Sequence, residues 1–184
     1  MNQSTKRENF MWIWLCVIAA SVLVDQATKL LTVAKLGEGE SVALIPDVLH
    51  FTYVQNEGAA FGMLADHRWV FMLISSVAIV ALLIYLWKFR PESAWACVAM
   101  SLIIGGGIGN MIDRIRLPYV IDMIDFCAFP NLWMWVFNFA DACVCVGAGI
   151  LLVWLVVSMI GEYRKEKAEK DKQAENETDG GQNV

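Results

Sequence analysis

The 184-residue chain is short of charge and of histidine. Only 18% of its residues are charged, and its two histidines are His50 and His67. That leaves Ser/His and Cys/His catalysis with hardly any base to use, and no GxSxG elbow is present. HExxH and CxxC spacings are absent too, so no metal and no cofactor is expected. Of the five cysteines, Cys16, Cys97, Cys143 and Cys145 lie in apolar runs and Cys127 alone lies outside them. They form no disulfide framework, although a thiol pairing of Cys127 with His50 stays open. The glycine run Gly105-Gly106-Gly107-Ile108-Gly109 lacks the Lys-Ser/Thr pair of a phosphate-binding loop. Close helix packing is the expected role of these glycines.

Apolar sequence is what the chain has in abundance. Hydrophobic residues make up 58%, eight of them tryptophans, and mean hydropathy is +0.51. This is too apolar for an ordinary soluble domain and predicts an integral membrane protein. A hydrocarbon core of about 30 Å takes roughly 20 helical residues to cross, and four runs reach that length. They are predicted as helices over about 10–33, 69–87, 94–112 and 136–160. The first is longer than the core of a cleavable leader, carries Asp25 and Lys29, and shows no convincing small-residue cleavage site, so it is expected to stay. Residues 1–161 are read as one transmembrane domain. Residues 162–184, where Lys, Glu and Asp alternate, are expected to be a disordered cytoplasmic tail rather than a nucleic-acid arm.

Basic residues set the predicted orientation. Lys6, Arg7, Lys88, Arg90, Arg164, Lys165, Lys167, Lys170 and Lys172 fall on one side, and Lys35, Arg68, Arg114 and Arg116 on the other. The richer side is cytoplasmic by the positive-inside rule. Both termini then lie in the cytoplasm, and segments 34–68 and 113–136 face outward. Alternation over Val42 to Val54, punctuated by Pro46 and Asp47, predicts short antiparallel strands on the membrane surface. Phe126, Phe129, Trp133 and Trp135 fit an interfacial belt, with contact to a lipid-bearing substrate as the alternative.

Acids in costly places are the chemical signal. A carboxylate at membrane depth costs about 3 kcal/mol or more unless it is paired or employed. Asp141 falls at the outer end of the fourth helix, on the same side as Asp122 in the preceding outward segment. Asp25 and Lys29, spaced i, i+4, share one face near the outer end of the first helix. They form either an internal ion pair or support for a binding surface. Asn110, Asp113 and Arg114 close the third run.

Five motifs follow in order along the chain: Asp25-Gln26-Ala27-Thr28-Lys29, Asn56-Glu57-Gly58-Ala59-Ala60-Phe61, Gly109-Asn110-Met111-Ile112-Asp113-Arg114, Val120-Ile121-Asp122 and Phe137-Asn138-Phe139-Ala140-Asp141. Together they resemble those of the lipoprotein signal peptidases, or signal peptidase II, membrane aspartic peptidases of bacteria. The resemblance spans about Asp25 to Gly147. It implies cleavage of the signal peptide from diacylglyceryl prolipoproteins, on the amino side of the lipidated cysteine. It also implies Asp122 and Asp141 as the catalytic pair. Asn110, Arg114 and Asn138 match polar positions lining the site, Asn56 and Gly58 match the substrate surface, and Asp25 and Lys29 match a supporting motif. Asp113 falls in the third motif. Met123 and Ala142 depart from the residues usual at those positions, but neither change removes a titratable group.

The implied fold is an all-α membrane protein of four transmembrane helices with a small extracytoplasmic β-rich segment. A monomer in the bacterial cytoplasmic membrane is expected, with membrane lipid and prolipoprotein as its partners. Asp122-Met123-Ile124-Asp125 offers two candidates for the first acid; Asp125 is otherwise a solvated carboxylate or one paired with Arg114 or Arg116. Two other readings remain at this level. Asp25, Lys29 and Asp141 could relay protons or ions in a small transporter, or the chain could be a structural subunit.

Overall fold

The computed structural model describes residues 3–58, 68–89, 91, 93–128 and 135–180. The element order is α1 (Gln3–Lys35), β1 (Ser41–Ile45), β2 (Leu49–Asn56), α2 (Arg68–Phe89), α3 (Ala94–Arg116), β3 (Val120–Phe126), β4 (Val136–Phe137) and α4 (Phe139–Gly180). All four helices are long and apolar enough to cross a membrane. Large apolar side chains such as Leu30, Leu73, Trp87 and Leu152 stand exposed on them. Lipid is the solvent those faces suit.

α3 is the central helix and packs against α1, α2 and α4. Its Ala96, Cys97, Met100 and Ile104 form the buried apolar core with Leu86 of α2, flanked by Trp14, Ile18 and Trp154. Two glycines allow the close approach. A Cβ on Gly106 would collide with the backbone carbonyl of Ala140, and one on Gly109 would sit 2.5 Å from Asp25 Oδ2. These glycines serve helix packing, as small residues do in membrane bundles.

The bundle is inside-out relative to a soluble protein. Ser21, Asp25, Lys29 and Thr32 of α1 are all buried, at helical spacing, along the face turned to α3. Backbone groups within helices are satisfied internally, so polar side chains are what this face must pair. Among the described residues, no buried side-chain nitrogen or oxygen lacks a hydrogen-bond partner.

At one end of the bundle the strands form an antiparallel sheet ordered β1-β2-β3-β4. The β1–β2 turn closes with Val48 N donating to Ile45 O at 3.1 Å, and Asp47 takes a positive φ of 60°. Pro46 followed by a residue that tolerates the left-handed region is the chemistry such a turn needs. Tyr53, Ile121 and Met123 pack beneath the sheet against Leu36 and Leu117, which follow α1 and α3. The four-helix, small-sheet architecture expected from the sequence is therefore present.

Several boundaries differ from expectation. α3 continues to Arg116, so Asp113 and Arg114 occupy its last turn and not an outward segment. Segment 113–136, for which no strand was expected, contains β3, and β4 takes the first two residues assigned to the fourth helix. α4 runs on through Gly180 into the segment expected to be disordered. Lys, Glu and Ala are good helix formers, and Lys170 pairs with Glu166 one turn earlier at 2.7 Å. Phe129, Trp133, His67 and Arg90 lie outside the described residues.

Candidate active site

α4 opens with a reciprocal cap. Asn138 precedes the helix, and its backbone O accepts from Ala142 N at 3.2 Å. Its side-chain Oδ1 accepts from Asp141 N at 2.9 Å, while Asp141 Oδ2 accepts from Asn138 N at 3.2 Å. This is a capping box with aspartate at the third helical position. The local rules of helix initiation thus hold the Asp141 carboxylate at the helix mouth, where the macrodipole favours negative charge.

Asn138 also reaches the second acid. Its Nδ2 donates to Asp122 Oδ1 at 2.6 Å and to Asn110 Oδ1 at 3.0 Å. Asn110 Nδ2 in turn donates to Asp141 Oδ1 at 2.7 Å. From β2, Asn56 Nδ2 donates to Asp122 Oδ2 at 2.8 Å, and Asn56 Oδ1 accepts from Gly58 N at 3.0 Å. Three asparagines from β2, α3 and the start of α4 therefore hold two carboxylates from β3 and α4. An amide suits this task because each carries donors and an acceptor on one rigid plane.

The acids differ in their surroundings. Asp122 is 1% exposed, whereas Asp141 is half-buried. Burial, and next the Asp141 carboxylate, push Asp122 up to about 7, against the opposing hydrogen bonds of Asn56 and Asn138 and the charge of Lys29. A carboxyl so placed keeps a proton near neutral pH that an ordinary aspartate would lose.

Behind the pair lies an ionic cluster. Lys29 Nζ is 2.9 Å from Asp25 Oδ2, 2.9 Å from Asp113 Oδ2 and 3.0 Å from Asn110 Oδ1. Asp25 Oδ1 accepts from Ala140 N in the first turn of α4, and Asp113 Oδ2 accepts from Ile121 N of β3. Lys29 thus neutralises two carboxylates that themselves anchor the backbones carrying Asp141 and Asp122. Of the two readings of Asp25 and Lys29, the geometry matches the internal ion pair, with its support delivered through the backbone.

Gln26 was missed as a working residue. Its Nε2 donates to Asp25 Oδ2, Gly109 O and Asp113 Oδ1 at 3.1–3.2 Å. The polar face of α1 was the signal that could have marked it. Arg114 Nη1 donates to Asn110 O at 3.3 Å, and its guanidinium lies 5.9 Å from the Phe71 ring. With Asn56, Gly58 and Tyr119 these two side chains line a small pocket beside the acids. Asp125 stands apart: its Oδ2 accepts from Thr52 Oγ1 at 2.8 Å on the adjacent strand, a contact that neither reading of it, solvated or paired with an arginine, included.

The family model described as signal peptidase (SPase) II matches residues 17–157. The chain belongs to the signal peptidase II family. It is accordingly a membrane-embedded aspartic peptidase, of bacterial type and multi-pass. Among curated signal peptidase II relatives, the lipoprotein signal peptidase of Halothermothrix orenii is 47% identical over 139 residues, covering 76% of this chain and 92% of its own. That of Lactiplantibacillus plantarum is 37% identical over 162 residues, covering 87% and 100%. A bacterial membrane enzyme solved by the in meso method at 2.3 Å superposes with a TM-score of 0.77 at 29% identity, over 82% of this chain and 91% of that one. A second, solved at 1.9 Å, gives 0.73 at 30% identity over 79% and 94%. Each of these relatives is matched over at least 91% of its own length.

Proposed function

We propose that this signal peptidase II removes the signal peptide from diacylglyceryl-modified lipoprotein precursors, cutting on the amino side of the lipidated cysteine, with Asp122 and Asp141 as the catalytic residues. The observation that carries this is the shared amide scaffold: Asn138 binds both carboxylates, and Asn110 joins it to Asp141. The relatives' name, lipoprotein signal peptidase, supports the substrate class.

Proton placement follows from the surroundings. Asp122 enters the reaction protonated, and Asp141 serves as the base. Asp141 takes a proton from a water whose oxygen attacks the scissile carbonyl carbon, and Asp122 gives its proton to the carbonyl oxygen. The tetrahedral diol then collapses. Asp141 returns its proton to the leaving nitrogen, the C–N bond breaks, and a diol hydroxyl restores the proton to Asp122. No covalent intermediate forms, and the net change is addition of one water.

Location serves the same substrate. The site gathers at one end of the bundle, from the first turn of α4, the last turns of α3 and the sheet. Charge asymmetry assigns that end to the extracytoplasmic face and both termini to the cytoplasm. Acyl chains can then stay in lipid beside the exposed apolar helices while the peptide bond reaches water. One copy carries both acids, so a monomer suffices. A transporter would need ionisable groups spread along a path, whereas Lys29 is bound between Asp25 and Asp113 and the acids converge at one end.

The test compares a diacylated lipopeptide with the same peptide lacking lipid, using purified protein in detergent and mass spectrometry of the products. Cleavage of the lipidated peptide alone, with the modified cysteine at the new amino terminus, is expected. Equal cleavage of both peptides, or a cut elsewhere, contradicts the proposed substrate.

A further inference from the structure

His50, Asp125 and Cys127 come together on the sheet outside the peptidase site. His50 on β2 is directly opposite Asp125 on β3, while Asp122 pairs with Val54 further along the same ladder. Three residues of strand, about 10 Å, separate the two aspartates. Cys127 follows β3 and is fixed by its backbone N, which donates to Val48 O at 2.9 Å. One ligand atom from each side chain, an imidazole nitrogen, a carboxylate oxygen and a sulfur, lies within 4.8 Å of the others, and all three residues are half-buried.

Tetrahedral zinc, with bonds of about 2.0–2.3 Å, holds its ligands roughly 3.3–3.8 Å apart. Small side-chain rotations close that gap, because the paired strands already align the backbones. The supporting contacts are in place as well. Thr52 Oγ1 donates to Asp125 Oδ2 at 2.8 Å, which fixes the carboxylate. Ser41 Oγ lies 2.8 Å from Thr52 Oγ1 and 3.5 Å from His50 Nδ1, linking two of the three ligands. Such outer contacts orient metal ligands. Sulfur with imidazole selects zinc-class ions over magnesium or calcium.

We propose that His50, Asp125 and Cys127 form a three-ligand site for one thiophilic divalent cation of the zinc class, with a fourth position open to water. Binding releases the thiol proton to solvent and clips β2 to the segment that leaves β3 toward β4. The cross-strand construction explains why no HExxH or CxxC spacing announces it. The site does not depend on the catalytic assignment.

Cobalt is the probe. Titration of the full-length protein in detergent with Co2+ should saturate at one equivalent, with a thiolate-to-cobalt charge-transfer band that Zn2+ abolishes. Cys127→Ser should lose the band, His50→Gln should weaken binding at least tenfold, and a Cys16→Ala/Cys145→Ala variant should keep it. A band that persists in Cys127→Ser, unchanged affinity in His50→Gln, or no saturable binding overturns the proposal. A second measurement needs no variant: Zn2+ should slow maleimide labelling of Cys127 at least tenfold in the wild type, and Mg2+ should not. Equal labelling rates with and without Zn2+ also overturn it.

Discussion

Asp122→Asn should stabilise the folded protein while it abolishes cleavage. Each pKa unit is worth about 1.4 kcal/mol. The rise of Asp122 from 3.8 to about 7 therefore costs the folded protein up to about 4 kcal/mol once the group must ionise. The folded state holds this proton more tightly than the unfolded state. Wild-type stability is accordingly unaffected by Asp122 below about pH 4 and falls as pH rises from there toward about 7. Asparagine removes that loss, but its Nδ2 faces an amide donor, Asn56 or Asn138, where a carboxylate oxygen accepted before. One such mismatch costs about 1–3 kcal/mol, which leaves a net gain of about 1–3 kcal/mol at neutral pH. Thermal unfolding in detergent, followed from about pH 5 to about pH 8, reads the difference directly. The gap between variant and wild type should widen with pH. Parallel profiles would refute the reasoning, because they would mean that Asp122 carries no raised proton affinity.

Three further outcomes follow from other contacts. Lys29→Ala leaves Asp25 and Asp113 buried without their counter-ion, which should cost about 3–5 kcal/mol in unfolding measurements, more than any surface Lys→Ala change. Asn138→Ala removes the α4 cap and the Nδ2 donor to Asp122 and Asn110, while the backbone N that binds Asp141 Oδ2 remains. It should cost about 1–2 kcal/mol of stability and lower kcat/KM about a hundredfold or more, whereas a purely structural role would leave kcat/KM of the folded fraction intact. Asp125→Asn, assayed in EDTA, should keep at least a tenth of wild-type cleavage; complete loss would transfer the first acid to Asp125.

The transmembrane layout was legible because lipid imposes a simple rule: four apolar runs of sufficient length became four helices. The hairpin of β1 and β2 was legible from its alternation and from Pro46-Asp47. β3 was not, because Val120, Ile121, Asp122 and Met123 are buried in succession and give no period of two. Its strand character comes from pairing with β2 along a ladder from Leu49 to Asn56, which is a tertiary property. The choice between Asp122 and Asp125 was open for the same reason. Only the ladder shows one acid turned to Asn56 and Asn138 and the other to Thr52. Asn56, Asn110 and Asn138 were found through motif resemblance, since no periodicity marks an amide as a bridge. For Glu162 to Asp179 composition reports solvation and not the helix propensity with which α4 runs on through Gly180.

The central claim is that Asp122 and Asp141 act as one proton-sharing pair. Single-turnover cleavage of a diacylated lipopeptide by Asp122→Asn and Asp141→Asn, each shown to be folded in detergent, tests it most directly. The account predicts no measurable product from either variant and normal turnover from wild type in the same preparation. Cleavage by either variant at a rate within tenfold of wild type would contradict it.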